Sequence, residues 1–191
     1  MGRTYDMTRR AKSAAQTTET IIEATEKLLT STNFNEITLN AIAEEAEITV
    51  QTVIRHMNSR DGCLQAVADQ VFRRVKKQRE VNKPGNISGA MDNLISHYEK
   101  EGKLVLNLLA QEHGADSFAT DLTKTGRSFH RKWVTEIISP FTKKNQPDVI
   151  DALVAATDIY TWKLLRLDIG RTPEETKKIM ILMVNQIKEA L

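Results

Sequence analysis

Two short amphipathic patterns stand side by side in residues 38–64, TLNAIAEEAEITVQTVIRHMNSRDGCL. Each is about eight residues long, so neither helix is stable without a partner to cover its apolar face. Thr38 and Thr49 precede the two patterns, where threonine is a good N-cap. A turn of about three residues between two such helices predicts a helix-turn-helix. Ala43 is the small residue that lets the helices cross closely.

The rest of the chain also predicts helices. Apolar residues recur at three- and four-residue steps, and no stretch alternates as a strand would. We therefore predict an all-α fold of about nine helices, with a third N-cap at Ser59 and with Phe34 and Ile37 as apolar anchors in the loop before Thr38. Outside residues 38–64, the predicted helices cover about residues 14–31, 90–100, 103–113, 118–143, 149–169 and 173–191.

Pro84, Gly85 and Gly89 gather in the segment VNKPGNISG, which favours a domain boundary near it. We predict a basic arm and helix-turn-helix domain in residues 1–58, a connecting helix in 59–83, and a second helical domain in 84–191. In the second domain, Gly170 should end one helix and Pro173 should begin the last.

The last two helices, IDALVAATDIYTWKLLRLDI and TKKIMILMVNQIKEAL, have apolar stripes wider than one neighbouring helix covers. An antiparallel pair that meets its twofold mate buries such a surplus in a four-helix bundle. We therefore predict a homodimer through these helices, while an ordinary core pair in a monomer stays open.

Bulk charge is uninformative, because 27 Lys and Arg residues balance 25 Asp and Glu residues. The segment MGRTYDMTRRAK is basic, and it predicts a mobile arm that binds a polyanion or, equally, a solvated terminus without a partner.

A single cysteine excludes an internal disulfide, and no apolar run is long enough for a signal peptide or a membrane span. The expectation is a soluble, cytoplasmic protein that does not bind membranes.

The segment FNEITLNAIAEEAEITVQTVIRHMNSRDGCLQAV resembles the DNA-binding segment of the tetracycline-repressor (TetR) family. Members usually read a Thr, an Ile-Ala, an Ala-Gly-Val, a Thr-Leu-Tyr-x-His-Phe and a Ser-Lys-Glu. Two departures stand out: Glu47 replaces the turn glycine, where a left-handed backbone costs roughly 1 kcal/mol unless the turn shifts, and Ile54 replaces the tyrosine. The matching positions are Thr38, Ile42-Ala43, Ala46-Glu47-Ile48, the run from Thr52 to Met57, and Ser59-Arg60-Asp61.

The resemblance implies a dimeric regulator that reads a near-palindromic operator in double-stranded DNA, and most simply a repressor released by an unidentified small molecule. A different class stays open, namely a helical small-molecule-binding or adaptor protein whose DNA-reading segment has decayed, as the two departures could indicate. Salt-dependent, sequence-specific DNA binding would separate the two.

The second short helix should enter the major groove. Gln51 can bind adenine, Val50 and Ile54 can touch thymine methyls, and Arg55 can reach guanine or a phosphate. The resemblance implies backbone contacts by Thr38, Thr52, His56 and Arg60, and the arm adds Arg9, Arg10 and Lys12. Other readings remain: Thr38 is a cap in any case, His56 can be an edge-of-core residue, and Arg55 can be a solvated surface residue.

Candidate ligand-binding residues in the second domain are Met91, Tyr98, Leu108, Phe129, Trp133 and Trp162, for which plain core packing is the competing interpretation. The pairs His97 with Glu101 and Glu112 with His113 resemble half a metal site, but such neighbours are more often solvated helix faces. We predict no metal, no cofactor and no enzymatic activity.

Cys63 is expected to be a small buried hydrophobe. The alternative is a redox-sensing thiol whose pKa is lowered by Arg60.

Overall fold

The structure, a computed structural model, describes residues 2–114, 116–139 and 147–189, and this part of the chain is helical without a strand. The predicted all-α fold is thereby confirmed. The elements are α1 Gly2–Ser31, a 3₁₀ turn Phe34–Glu36, α2 Leu39–Glu45, α3 Val50–Met57, α4 Arg60–Glu80, α5 Ile87–Leu109, α6 Ser117–Trp133, a π turn Val134–Ile138, α7 Pro147–Thr157, α8 Ile159–Lys163, a π turn Leu164–Asp168 and α9 Pro173–Glu189.

The chain forms two compact units, Met1–Phe72 and Arg73–Leu191, so the division falls within the segment 59–83 that was predicted to connect two domains. Each unit has its own apolar core. The first is centred on Ile21, Phe34, Ile37, Ile42 and Val53, all without solvent exposure, which confirms the two predicted loop anchors. The second is centred on Met91, Leu94, Ile138, Leu153 and Met180, which are equally buried.

The first helix begins at Gly2 rather than near residue 14, so the prediction of a mobile arm is wrong. Residues 8–16 are helical and exposed. Since this stretch lacks Gly and Pro and contains Arg, Lys and Ala, it can extend a helix that is already nucleated by packing further along. The side chains of residues 1–7, Arg3 among them, lie outside the described part.

The stretch predicted as two helices, 90–100 and 103–113, is the single helix α5. Gly102 lies in its middle and does not break it. A Cβ atom at this position would lie 2.5 Å from Cη2 of Trp162, so the glycine allows the indole to approach the α5 backbone. Glycine here is a packing residue and not a helix terminator.

Residues 149–169 were predicted as one helix, whereas α7 ends at Thr157 and α8 begins after Asp158. The Asp158 side chain accepts a hydrogen bond from the Tyr160 backbone N–H at 2.9 Å, so this residue is an N-cap within an apolar run. The predicted helix 118–143 ends earlier, as α6 and a π turn to Ile138, and residues 140–146 lie outside the described part.

The ends of the last two helices agree with prediction. Gly170 has φ +80°, a left-handed conformation that suits glycine after a helix, and α9 begins at Pro173. Large apolar side chains remain exposed on these elements, namely Tyr160, Leu164, Leu167, Ile169, Leu182 and Met183. In the described part of the chain, no helix combines the length and apolarity that a membrane crossing requires.

Candidate nucleic-acid interface

The crossing of α2 and α3 has the geometry that the sequence predicts. Ala43 is buried where the helices meet, and Ile42 and Val53 pack beside it with no exposed surface. The Ile48 N–H donates to the Ala43 carbonyl at 2.9 Å and closes the turn. Glu47 has φ +54°, so this non-glycine residue does adopt the left-handed conformation and the turn is not shifted.

Three predicted N-caps fix the starts of the helices. Thr38 Oγ1 accepts from the Ala41 N–H at 3.1 Å, and Thr49 Oγ1 accepts from the Thr52 N–H at 3.2 Å. Ser59 Oγ accepts from the Gly62 N–H at 3.0 Å at the start of α4. Each bond satisfies a backbone donor that the helix itself cannot satisfy. The three helices are thus begun by local sequence, independently of any DNA contact.

The helix α3 has one buried and one exposed face. Val53 and Met57 lie in the core, whereas Gln51 and Arg55 are exposed. The other predicted contact residues on this helix, Val50, Thr52, Ile54 and His56, are half-buried at its flanks. The predicted base-reading side chains are therefore together on one surface, with an apolar anchor behind them.

His56 joins α3 to α1. Its Nδ1 atom lies 3.0 Å from Thr18 Oγ1, so the hydroxyl fixes the ring orientation. Residue His56 is half-buried, which agrees with the interpretation as an edge-of-core residue. The second ring nitrogen, Nε2, is the one that a phosphate contact would use.

Arg60 is half-buried and is bonded to the protein backbone, which sequence reasoning missed. Its Nε donates to the Ile37 carbonyl at 2.7 Å and its Nη2 to the Phe34 carbonyl at 3.2 Å, while the guanidinium lies 4.5 Å from the centre of the Phe34 ring. The signal was present, because carbonyls around two buried anchors need donors. A phosphate contact by Arg60 remains a prediction and would compete with these bonds.

The basic residues Arg9, Arg10 and Lys12 lie on the exposed beginning of α1. Thr18, which touches α3, follows Arg10 by eight residues (18 − 10 = 8). At 1.5 Å rise per residue, the basic turns lie roughly 12 Å further along the helix axis from the α3 contact. A rigid helix thus carries these charges at a fixed distance from α3.

Cys63 is fully buried, as predicted. Burial raises the pKa of its thiol to about 11, which is the opposite of what a reactive thiolate requires. The alternative of a redox sensor activated by Arg60 therefore lacks support.

The candidate ligand residues in the second unit divide into two groups. Tyr98, Phe129, Trp133 and Trp162 belong to one aromatic cluster around the buried side chain of Arg79. Its guanidinium carbon lies 5.3 Å from the Phe129 ring centre and 4.7 Å from that of Trp133, and the rings of Tyr98 and Trp162 are 5.8 Å apart. Met91 lies in the same apolar core, and Leu108 is half-buried on α5.

The interpretation of His97 and Glu101 as a solvated face is wrong. Glu101 is 3% exposed and accepts from Arg74 Nη2 at 2.8 Å. His97 is also buried, and its Nδ1 lies 3.3 Å from Arg79 Nη2. Sequence reasoning missed the half-buried Arg74 and the buried Arg79 and His130, because only packing shows how far these polar residues are removed from solvent. Among the described residues, no group of three His, Cys, Asp or Glu side chains is placed to hold a metal ion.

This geometry defines a class: a helical protein with a helix-turn-helix that presents one face of α3. Residues 21–67 match the profile of the bacterial regulatory proteins described as the tetR family. A search of curated proteins found no match.

Solved structures share the fold over most of the chain. A protein of Rhodococcus sp. assigned to the TetR-family transcriptional regulators is 14% identical with TM-score 0.68, covering 91% of this chain and 99% of that one. A protein of Pseudomonas aeruginosa PAO1 assigned as a transcriptional regulator is 16% identical with TM-score 0.68, covering 92% and 91%. The multidrug binding protein EbrR, complexed with imidazole, is 15% identical with TM-score 0.57, covering 86% and 88%.

At these identities the solved structures establish the fold, while the profile match covers the helix-turn-helix. Residues 21–67 therefore carry a DNA-binding segment of the tetR-family type, and the chain shares its overall fold with solved structures assigned to TetR-family transcriptional regulators.

Proposed function

We propose that the protein is a homodimeric, sequence-specific repressor that a small molecule releases from its operator, acting in the cytoplasm where its DNA is found. The observation that carries this proposal is the division of α3, with Val53 and Met57 buried and Gln51 and Arg55 exposed. An α3 anchored in this way can enter a major groove without unfolding its own core.

Base reading would be shared by four residues of α3. Gln51 is placed to bind an adenine through its amide, Arg55 a guanine or a phosphate, and Val50 with Ile54 the methyl groups of thymines. Thr38, Thr52 and His56, together with the exposed Arg9, Arg10 and Lys12 of α1, would contact the backbone. Because Thr38 and Thr52 already take part in cap hydrogen bonds, their phosphate contacts would be additions to a structural role.

Dimerisation through the last two helices is supported by the exposed apolar side chains there. Leu164, Ile169 and Leu182 are each more than half exposed, and Tyr160 on α8 and Met183 on α9 are exposed as well. A monomer gains nothing by presenting so many large apolar groups to water. One recognition helix contacts too few base pairs to specify a single site in a genome. Two recognition helices of a dimer, about 34 to 36 Å apart or a multiple of this spacing, would read the two halves of a palindromic operator.

A small-molecule signal is supported by the second unit, whose core holds polar residues that a plain hydrophobic core does not need. The related fold of EbrR, a multidrug binding protein, was solved with imidazole. A ligand that releases the repressor must bind more tightly to the conformation whose recognition helices do not fit the operator.

Selection from a random DNA pool with the purified protein tests the proposal, since it gives the operator, its symmetry and its half-site spacing together. Binding should weaken steeply with salt, by roughly 0.9 in log K per log salt for each phosphate contacted. Gln51→Ala should relax the preference at one base pair of each half-site and leave the rest of the operator unchanged.

The competing interpretation, an adaptor with a decayed DNA-reading segment, predicts no sequence enrichment in this selection. The structure offers that alternative no observation in its favour, because the turn at Glu47 keeps its geometry and α3 keeps its exposed polar face. A pool without enriched sequences, from protein that is folded and dimeric, would overturn the proposed function.

A further inference from the structure

Arg79, near the end of α4, is buried within the second unit with only 5% of its surface exposed. Its guanidinium lies against the aromatic rings of Phe129 and Trp133, at 5.3 and 4.7 Å from their centres. Cation–π contacts and the negative end of the helix dipole offset part of the cost of burying this charge. Neither supplies the full negative charge that a buried arginine usually pairs with.

Arg79 has no carboxylate partner among the residues that the structure describes. Glu101, a buried acid on α5, is paired with Arg74. The polar neighbours of Arg79 are His97 Nδ1, at 3.3 Å from Nη2, and the Tyr98 hydroxyl. Outside the described part, residues 115, 140–146 and 190–191 contain no Asp or Glu, so the undescribed residues of this unit add no side-chain carboxylate.

The groups around Arg79 are neutral. Burial, with a smaller contribution from the charge of Arg79, lowers the pKa values of His97 and His130 to about 3, so both rings are uncharged at neutral pH. Burial raises the pKa of Tyr98, whose hydroxyl donates to the Thr157 carbonyl at 2.9 Å. Arg79 is thus the one positive charge among these side chains, and the nearby carboxylates act elsewhere: Glu99 accepts from Trp162 Nε1 at 2.9 Å and pairs with Arg166, and the charge of Asp158 acts on Tyr98.

Unbonded hydrogen-bond donors also outnumber unbonded acceptors here, since three buried N–H groups face one unbonded ring nitrogen, His130 Nδ1. Arg79 Nε and Nη1, together with Trp133 Nε1, are buried and make no hydrogen bond to any described residue. Arginine and the indole N–H can only donate. An acceptor with a negative charge would satisfy both the charge and the donors, whereas a cation would be repelled and a neutral amide would leave the charge unpaired.

We propose that Arg79 is the anion-binding residue of the signal site, and that the signal is a small organic acid whose carboxylate binds the guanidinium. The apolar body of this acid would pack on the aromatic side chains of the cluster, among them Tyr98, Phe129 and Trp133. This inference rests on the proposed ligand-responsive function for its regulatory meaning, but binding of the acid can be measured without DNA.

The test uses the full chain and two matched pairs of probes, benzoate with benzamide and octanoate with octanamide. Titration calorimetry and thermal unfolding are compared for the wild type, Arg79→Met, Arg79→Lys and the control Arg73→Met, which changes an exposed arginine of the same helix. At least one acid should bind the wild type and raise its melting temperature while its amide does not. Arg79→Met should weaken that binding by roughly 30-fold or more, and the control should leave it unchanged.

The ligand-free variants add a second readout. If Arg79 serves a ligand, Arg79→Met should melt at or above the wild-type temperature, because it removes an unpaired buried charge. A clear loss of stability would assign Arg79 a structural role. If the methionine variant does not fold, Arg79→Gln takes its place, because glutamine also lacks the positive charge, and wild-type affinity for the acid in that variant would overturn the proposal. Arg79→Lys keeps the charge and should retain part of the affinity.

Binding of neither acid to the wild type, or equal binding of acid and amide, also overturns the proposal. Failure of the proposed function looks different. If the protein binds the acid through Arg79 but enriches no DNA sequence, the anion site is supported and the proposed repressor function is rejected. If the protein enriches an operator sequence but binds neither acid, the repressor function is supported and the anion site is rejected.

Discussion

At the scale of single residues, two arginines of the DNA-binding unit have different roles although they are five positions apart (60 − 55 = 5). Arg60 bonds two carbonyls and stacks on Phe34, whereas Arg55 is exposed on α3. We expect Arg60→Ala to lower the free energy of unfolding by about 2 to 3 kcal/mol, since it removes the Nε donor of the Ile37 carbonyl, a second donor of the Phe34 carbonyl and the stacking on the Phe34 ring. Urea denaturation measures the loss.

Arg55→Ala is the matched control and should unfold like the parent while it weakens DNA binding. If the two substitutions destabilise the protein equally, the structural role of Arg60 is refuted.

The left-handed residue in the turn offers a second test. Glu47 has φ +54°, which strains a residue with a Cβ atom. Glu47→Gly should therefore raise the free energy of unfolding by about 0.5 to 1 kcal/mol, whereas glycine at the exposed helical position Glu44 should lower it by about as much. Thermal denaturation of both variants measures these changes in stability. Destabilisation by Glu47→Gly would contradict the assigned backbone conformation.

The buried histidines predict a dependence of stability on pH. Folding lowers the pKa values of His97 and His130 to about 3, so below about pH 6.5 the unfolded chain binds protons that the folded chain does not. Stability should therefore fall as pH falls, by about 2 kcal/mol between pH 7 and 5.5 for the pair.

Urea denaturation at the two pH values measures this fall in the ligand-free protein. The variant His97→Gln/His130→Gln should lose most of the dependence. An unchanged slope in that variant would show that other groups cause it.

At the scale of elements, the crossing of α2 and α3 depends on the size of residue 43. Ala43 is buried against α3, and a larger side chain there would separate the helices. Ala43→Leu should cost about 1 to 3 kcal/mol of stability through overpacking and should abolish operator binding as the helices move apart. The control Glu44→Leu places the same side chain on the exposed face of α2 and should leave stability nearly unchanged.

The boundaries of elements show where sequence reasoning succeeds and where it fails. The caps at Thr38, Thr49 and Ser59 were predictable, because capping depends on the next few residues. The start of α1 and the unbroken α5 were not, since helix extension and the tolerance of Gly102 depend on what packs nearby. The break at Asp158 had a local signal, an aspartate within an apolar run, which was missed.

At the scale of the whole molecule, the proposed dimer predicts that charge in the seam separates the subunits. Leu164→Glu combined with Leu182→Glu should give a monomer in sedimentation equilibrium, because burying two carboxylates costs more than the remaining apolar contact supplies. Operator affinity should fall with it, since each half-site would then be bound alone.

Val81→Glu is the control for the seam variant, as Val81 is 72% exposed and lies outside the last two helices. It should remain a dimer. Should the seam variant stay dimeric as well, the interface lies elsewhere.

The amino-acid sequence alone determined the all-α class, the helix-turn-helix, its caps and the resemblance to the TetR family, because all of these depend on periodicity and on neighbours a few residues apart. Only the tertiary structure decided the inward role of Arg60 and the burial of Arg79, His97 and Glu101. Burial of a polar side chain depends on residues far apart in the chain, and no local pattern distinguishes such a residue from one on a solvated helix face.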